Sequence, residues 1–342
     1  MKTIKAAVLV EIDNPLVVKN IELTPLMFGQ VKIKVLISGL CGAQLQEISG
    51  LKGNGKFLPH LLGHEGCGIV EEIGLGVTRV KVGDKVVMHW RVGGGIESPF
   101  PNYVVDGKTI SSGKVTTLSE YCIASENRLT VVPKDTNDYL CALLGCGLST
   151  AFGTINNEID LKFGESVMVV GCGGVGLSLI QGAKMSSAYP IIGVDIHEDK
   201  KKMALAIGAT NFINTSIGFS ELLTTKVDVI IDTTGNATAI EMTLPCLSDK
   251  GRYILVGQPK PGQSINIPNA NSMFGGCGKS IKATQGGKTS PNEDILRYIK
   301  LYNAGVFGID GIISHEFSLE NINDAISVLR SGKSGRVMIK MT

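Results

Sequence analysis

The chain has 342 residues, long for one compact core, so two domains are expected. A formal net charge of +2 offers no electrostatic case for nucleic acid or an anionic membrane as partner. The eight cysteines (41, 67, 122, 141, 146, 172, 246 and 277) form no C-x-x-C pair, which argues for reduced thiols in a cytoplasm and against a disulfide framework. The N-terminus reads as the start of a strand without a signal-peptide core, and no apolar stretch approaches membrane-spanning length.

In chain order, residues 1–145 read as short strands punctuated by Gly, Pro, Asn and Asp. Apolar Val31, Ile33 and Val35 alternate with Lys32 and Lys34, a half-buried strand pattern, and 68–73, 85–88 and 119–123 look similar. This part is expected to be mostly β and partly barrel-like. Residues 90–117 are glycine-rich without periodicity and read as one long loop. From about 148 the rhythm changes to strand–helix alternation. Strands are expected at 166–170, 190–195, 227–232 and 253–256, with helices at 176–186 and from 196 to Ile207, where Gly208 closes the second. Repeated βα units imply a parallel, doubly wound sheet. Lys200–Lys202 reads as a solvated helix face. Two further helices (292–303 and 319–330) and a strand (336–341) complete the chain.

The first strand–helix turn, V-M-V-V-G-C-G-G-V-G (167–176), carries a G-x-G-x-x-G pattern, so Gly171, Gly173, Gly174, Val175 and Gly176 are candidate cofactor contacts. The three pattern glycines suit a tight turn, a close approach to pyrophosphate and close helix–strand packing. Asp195 ends the next strand, where a carboxylate accepts from ribose hydroxyls and repels a 2′-phosphate. That favours NAD over NADP, with Lys200 near the same ribose. The competing reading of Asp195 is a helix N-cap.

Upstream lie Cys41 in G-L-C-G, His64 in G-H-E-G and Cys146 in L-L-G-C-G-L-S-T. Two cysteines and a histidine suit a catalytic zinc that keeps its fourth position open. Taken in this order, with the dinucleotide turn behind them, these motifs resemble the zinc-dependent medium-chain alcohol dehydrogenase/reductase family over nearly the whole chain, including S-G-K-S-G-R at 331–336. The resemblance implies a GroES-like, mostly β catalytic domain (1–147 and 286–342) and a Rossmann domain (148–285). It implies zinc on Cys41, His64 and Cys146, Glu65 as neighbour or alternative ligand, Thr150 at the nicotinamide and Arg336 at the pyrophosphate. A homodimer or homotetramer is also implied, with a small-molecule alcohol or carbonyl substrate.

Two departures stand out. The family's structural zinc needs four close cysteines, and 90–117 has none, so one zinc per chain is expected. The proton relay is also altered: Ala43 replaces the usual Ser or Thr, and Gln44 and Gln46 replace the usual Asp and His. Glu65, Glu47 and His89 are the candidate substitute bases. Trp90 and Arg91 follow the strand that lines the family's substrate pocket, which suggests a polar substrate such as a sugar or cyclitol derivative. Two alternatives stay open: a zinc-free, NADPH-dependent double-bond reductase of the same superfamily, and a non-catalytic NAD-binding protein.

Overall fold

The alternating Val/Lys run becomes the longest strand of the protein's first unit, Gln30–Leu40. It pairs antiparallel with Glu65–Ile73, Tyr121–Ser125 and Arg336–Lys340. Val31, Ile33 and Val35 are buried in the same core as Val70, Val86, Val337 and Ile339. The computed structural model describes residues 2–53, 55–267 and 269–341. They divide into one unit made of Met1–Ser149, Ser290–Ala304 and Ile313–Thr342, and a second made of Thr150–Thr289 and Gly305–Ile312.

In the first unit a seven-stranded sheet runs Leu129–Val132, Lys85–His89, Glu65–Ile73, Gln30–Leu40, Arg336–Lys340, Ile313–Ser318, with Tyr121–Ser125 pairing Gln30–Leu40 off that path. A closed barrel is formed by Thr3–Leu9, Val17–Leu23, Tyr103–Val105, Lys108–Ser112 and His60–Leu61. Two of these barrel strands lie inside 90–117, so that segment is not one long loop. Tyr103–Val105 and Lys108–Ser112 form a hairpin closed by Asp106-Gly107, both at positive φ (49° and 74°). Asp-Gly supplies the left-handed geometry that a two-residue hairpin needs.

The second unit is built on a six-stranded parallel sheet in the order Asn211–Asn214, Ile191–Asp195, Val167–Val170, Val227–Asp232, Leu247–Leu255, Ser280–Ala283. Its central strands are continuous apolar runs, as burial on both faces requires. Residues 305–312, expected with the catalytic domain, pack into this unit instead. Phe307 meets Phe152 edge-on at 5.0 Å, and the Gly308 carbonyl accepts from Gln181 Nε2 at 2.9 Å. Of the lysines expected on a solvated face, Lys201 and Lys202 are exposed but Lys200 is fully buried. Among the described residues no single helix is long and apolar enough to cross a membrane.

Candidate metal and cofactor sites

Strand and helix ends bring the candidate metal-ligand residues together in the first unit. Cys41 follows Leu40 at the end of the long strand and is the N-cap of the helix Gly42–Ile48. His64 immediately precedes the strand Glu65–Ile73, which is paired to that same strand. Cys146 lies between the helices Asp138–Leu144 and Gly147–Gly153. The ligand atoms of Cys41, His64 and Cys146 all lie within 4.8 Å of one another. A tetrahedral zinc with bonds of about 2.0–2.3 Å wants its ligand atoms roughly 3.5–3.8 Å apart, so the trio needs only a small contraction. The Cys41 thiol is held well below the ordinary range, chiefly by Cys146, with His64 and Arg336 adding to the effect and burial opposing it. The thiolate is the form that ligates a metal.

Beneath the trio lies a buried ion pair. Glu65 (0 % exposed) pairs with Arg336 (4 % exposed), and Glu65 Oε2 also accepts from the Gly147 backbone N–H at 3.1 Å. The Glu65 side chain fits because Gly39 opposes it: a Cβ there would stand 2.7 Å from Oε1. Burial lowers the Arg336 pKa, opposed by the nearby Cys41. A buried pair of this kind is costly to break because one charge would be left without compensation.

In the second unit, Val170 leads through Gly171 (φ 89°) into the helix Gly174–Met185, whose N-cap is Gly173. At Gly176 an added Cβ would overlap the Gly171 carbonyl, whereas at Gly173 it would meet nothing within 4 Å. Space beside an N-terminal helical turn is what a pyrophosphate occupies, because the first N–H groups lack helical partners. Asp195 accepts from the Cys172 N–H at 2.8 Å and the His197 N–H at 2.9 Å. The following helix Asp199–Ile207 has Glu198 at its N-cap, so Asp195 is not its cap. Burial lowers the pKa of Lys200, with the Asp195 carboxylate the leading opposing influence. The donor set fits a divalent metal, and the open glycine cradle with the Asp195 carboxylate at the end of the next strand fits a dinucleotide.

Residues 28–134 match the alcohol dehydrogenase GroES-like domain, and residues 174–304 match the zinc-binding dehydrogenase domain. Alcohol dehydrogenase 6 of Peromyscus maniculatus is 30% identical, the match covering 98% of this chain and 97% of that protein. The chain belongs to the zinc-dependent medium-chain alcohol dehydrogenase family. Among solved structures, an alcohol dehydrogenase zinc-binding domain protein from Burkholderia ambifaria superposes with a TM-score of 0.91 at 26% identity, covering 100% of this chain and 99% of that one. Benzyl alcohol dehydrogenase from Acinetobacter calcoaceticus gives 0.89 at 27% identity, with 100% of both chains covered. The protein is thus an alcohol dehydrogenase-type oxidoreductase with GroES-like and Rossmann-like domains.

For a member of this family, the altered relay leaves three side chains in very different settings. His89 is 1 % exposed, its Nδ1 lies 2.7 Å from the Arg91 carbonyl and its Nε2 3.0 Å from Thr130 Oγ1. Burial pushes its pKa down to about 4. Both ring nitrogens are committed, which makes it a poor proton carrier. Glu65 is committed to Arg336. Glu47, on the helix Gly42–Ile48, is held above the ordinary carboxylate range by burial, with the charges of His64 and Lys52 opposing. Trp90 and Arg91 are half-buried, with the guanidinium 5.6 Å from the indole centroid, an arrangement typical of a cation on an aromatic face. Thr150 is buried, its carbonyl accepting from Thr154 Oγ1 at 2.7 Å. One partner was not foreseen from sequence: Gln44 Nε2 lies 2.7 Å from His64 Nδ1. Its signal was a Gln three residues after an N-cap position, where such a side chain turns back toward the cap.

Proposed function

We infer that the protein is a zinc-containing, NAD-dependent dehydrogenase that moves a hydride between a polar alcohol or its carbonyl partner and the nicotinamide. The convergence of Cys41, His64 and Cys146, three residues far apart in sequence, carries this reading. Bound there, zinc would supply a Lewis acid for the substrate oxygen, and NAD would supply the hydride acceptor. One zinc per chain is proposed, since 90–117 lacks the cysteines for a second.

The chain's own residues then have separable tasks. Cys41 and Cys146 provide thiolate charge, His64 a neutral nitrogen, and the Glu65–Arg336 pair balances charge beneath them. Gly171, Gly173, Gly174, Val175 and Gly176 form the pyrophosphate turn. Asp195 takes the ribose hydroxyls, the fully buried Lys200 acting on it through its charge, and Thr150 lies at the nicotinamide. With Ala43 unable to relay a proton, Glu47 is the acceptor whose pKa is moved toward neutrality, as a general base requires. Trp90 and Arg91 select a polyhydroxylated substrate of sugar or cyclitol type. A homodimer or homotetramer is proposed, with the edge strand Ser280–Ala283 as its contact.

Elemental mass spectrometry on the purified protein tests the central point. One zinc per chain in protein equilibrated with zinc, lost in Cys146→Ala, is the expected result. A metal-free protein after zinc-replete expression, reducing activated alkenes with NADPH, would instead establish the zinc-free reductase.

A further inference from the structure

The hydrogen bonds of Gln44 conflict with the job assigned to His64. Gln44 is the third residue of the helix Gly42–Ile48 and is 1 % exposed. Its Oε1 accepts from the Cys41 backbone N–H at 2.8 Å, the reach-back half of a capping box. That fixes which end of the amide faces the imidazole: Nε2, 2.7 Å from His64 Nδ1. An amide NH₂ can only donate, so Nδ1 must accept, and the proton of the neutral ring then resides on Nε2.

Nε2 is the nitrogen left for a metal, and a metal needs its lone pair. Loading therefore requires the proton to stand on Nδ1, where N–H would face the N–H of Gln44. Turning the amide over gives Nδ1–H an acceptor but leaves NH₂ against the Cys41 N–H. Either way one donor confronts another where Gln44 is buried and Cys41 and His64 are half-buried, and a donor left without an acceptor there is costly. A carboxylate at this position accepts from both donors at once, the usual arrangement behind a metal-bound histidine.

Resting on the reading of Cys41, His64 and Cys146 as ligands, we propose that Gln44 is a positioning residue that sets His64 in the tautomer opposed to metal binding, leaving the metal weakly held and exchangeable. The isosteric Gln44→Glu variant removes the conflict without changing the side chain's volume.

The test has two arms. In metal-stripped protein labelled with ¹⁵N-histidine, long-range ¹H–¹⁵N correlation (His64 assigned with a His64→Asn variant) should show Nε2–H in the natural chain and Nδ1–H in Gln44→Glu. Zinc titration against a competing chelator should show Gln44→Glu binding about 10–100-fold more tightly, the usual range for such partners. Nδ1–H in the natural chain, or equal zinc affinity in the two proteins, overturns the proposal and leaves the ligand set standing. Zinc binding unchanged in both His64→Ala and Cys146→Ala overturns the ligand set itself, while the tautomer arm still decides the role of Gln44.

Discussion

A methyl group at Gly176 and one at Gly173 meet opposite circumstances, although the residues stand three apart on one turn. At Gly176 it runs into the Gly171 carbonyl; at Gly173 it enters open space. Gly173 has φ −75°, which alanine adopts without strain. Gly176→Ala should therefore destabilise the second unit by about 1–3 kcal/mol, the usual cost of overpacking. Gly173→Ala should fold normally and lose NADH affinity, because the methyl would fill the space meant for phosphate. Thermal unfolding and NADH fluorescence titration on the two variants separate these outcomes. Normal NADH binding by Gly173→Ala would remove the dinucleotide from that turn.

At the scale of elements, the region lacking the structural-zinc cysteines is tied together by carboxylates. Glu126 accepts from the backbone N–H groups of Thr78, Arg79 and Ile96, and Glu97 pairs with Arg128 and Lys114. Burial would raise the Glu126 pKa, but the N–H groups of Arg79, Ile96 and Thr78 outweigh it and hold the pKa low. A depressed carboxylate stabilises the fold above its unfolded pKa of about 4.3 and loses that contribution as pH falls through the folded value. Glu126→Gln should thus cost roughly 1–3 kcal/mol at pH 7 and flatten the acid limb of the stability curve below about pH 4; a parallel, merely displaced curve would show that the charge is not what holds the lobe. This lobe is also where sequence reading failed. The strand–glycine turn–helix at 167–185, the strand ending at Asp195 and the alternating strand at 31–35 were legible because each has a period or spacing imposed by local geometry. The hairpin at 103–112 was signalled by Asp106-Gly107 but lost among neighbouring glycines, and the network of Glu97 and Glu126 has no spacing rule because its partners are distant in sequence. Lys200 was misread for a related reason: its helix shows three lysines in a row, and only packing decides which one is buried.

On the scale of the whole molecule, the proposed metal ligands Cys41, His64 and Cys146 belong to one unit, and the proposed dinucleotide residues, the glycine turn at 171–176 with Asp195 and Lys200, belong to the other. Calorimetry should therefore resolve two distinct responses. Chelating zinc should lower the unfolding temperature of the first unit, while NADH at a hundredfold over its Kd should add about 2.7 kcal/mol to the second. Both ligands acting on the same transition to the same degree would contradict that assignment. The first unit is also discontinuous in the chain: the strand Arg336–Lys340 sits inside its sheet, between Gln30–Leu40 and Ile313–Ser318. A ribosome making this protein has finished all three ligand residues long before Arg336 exists. At roughly 5–20 residues per second, the interval from Ser149 to Arg336 lasts about 10–40 s. For that time the nascent thiols and Glu65 have no guanidinium beside them and the sheet has a gap, so a chain truncated before Arg336 is left with the nested second unit as its only complete folding unit.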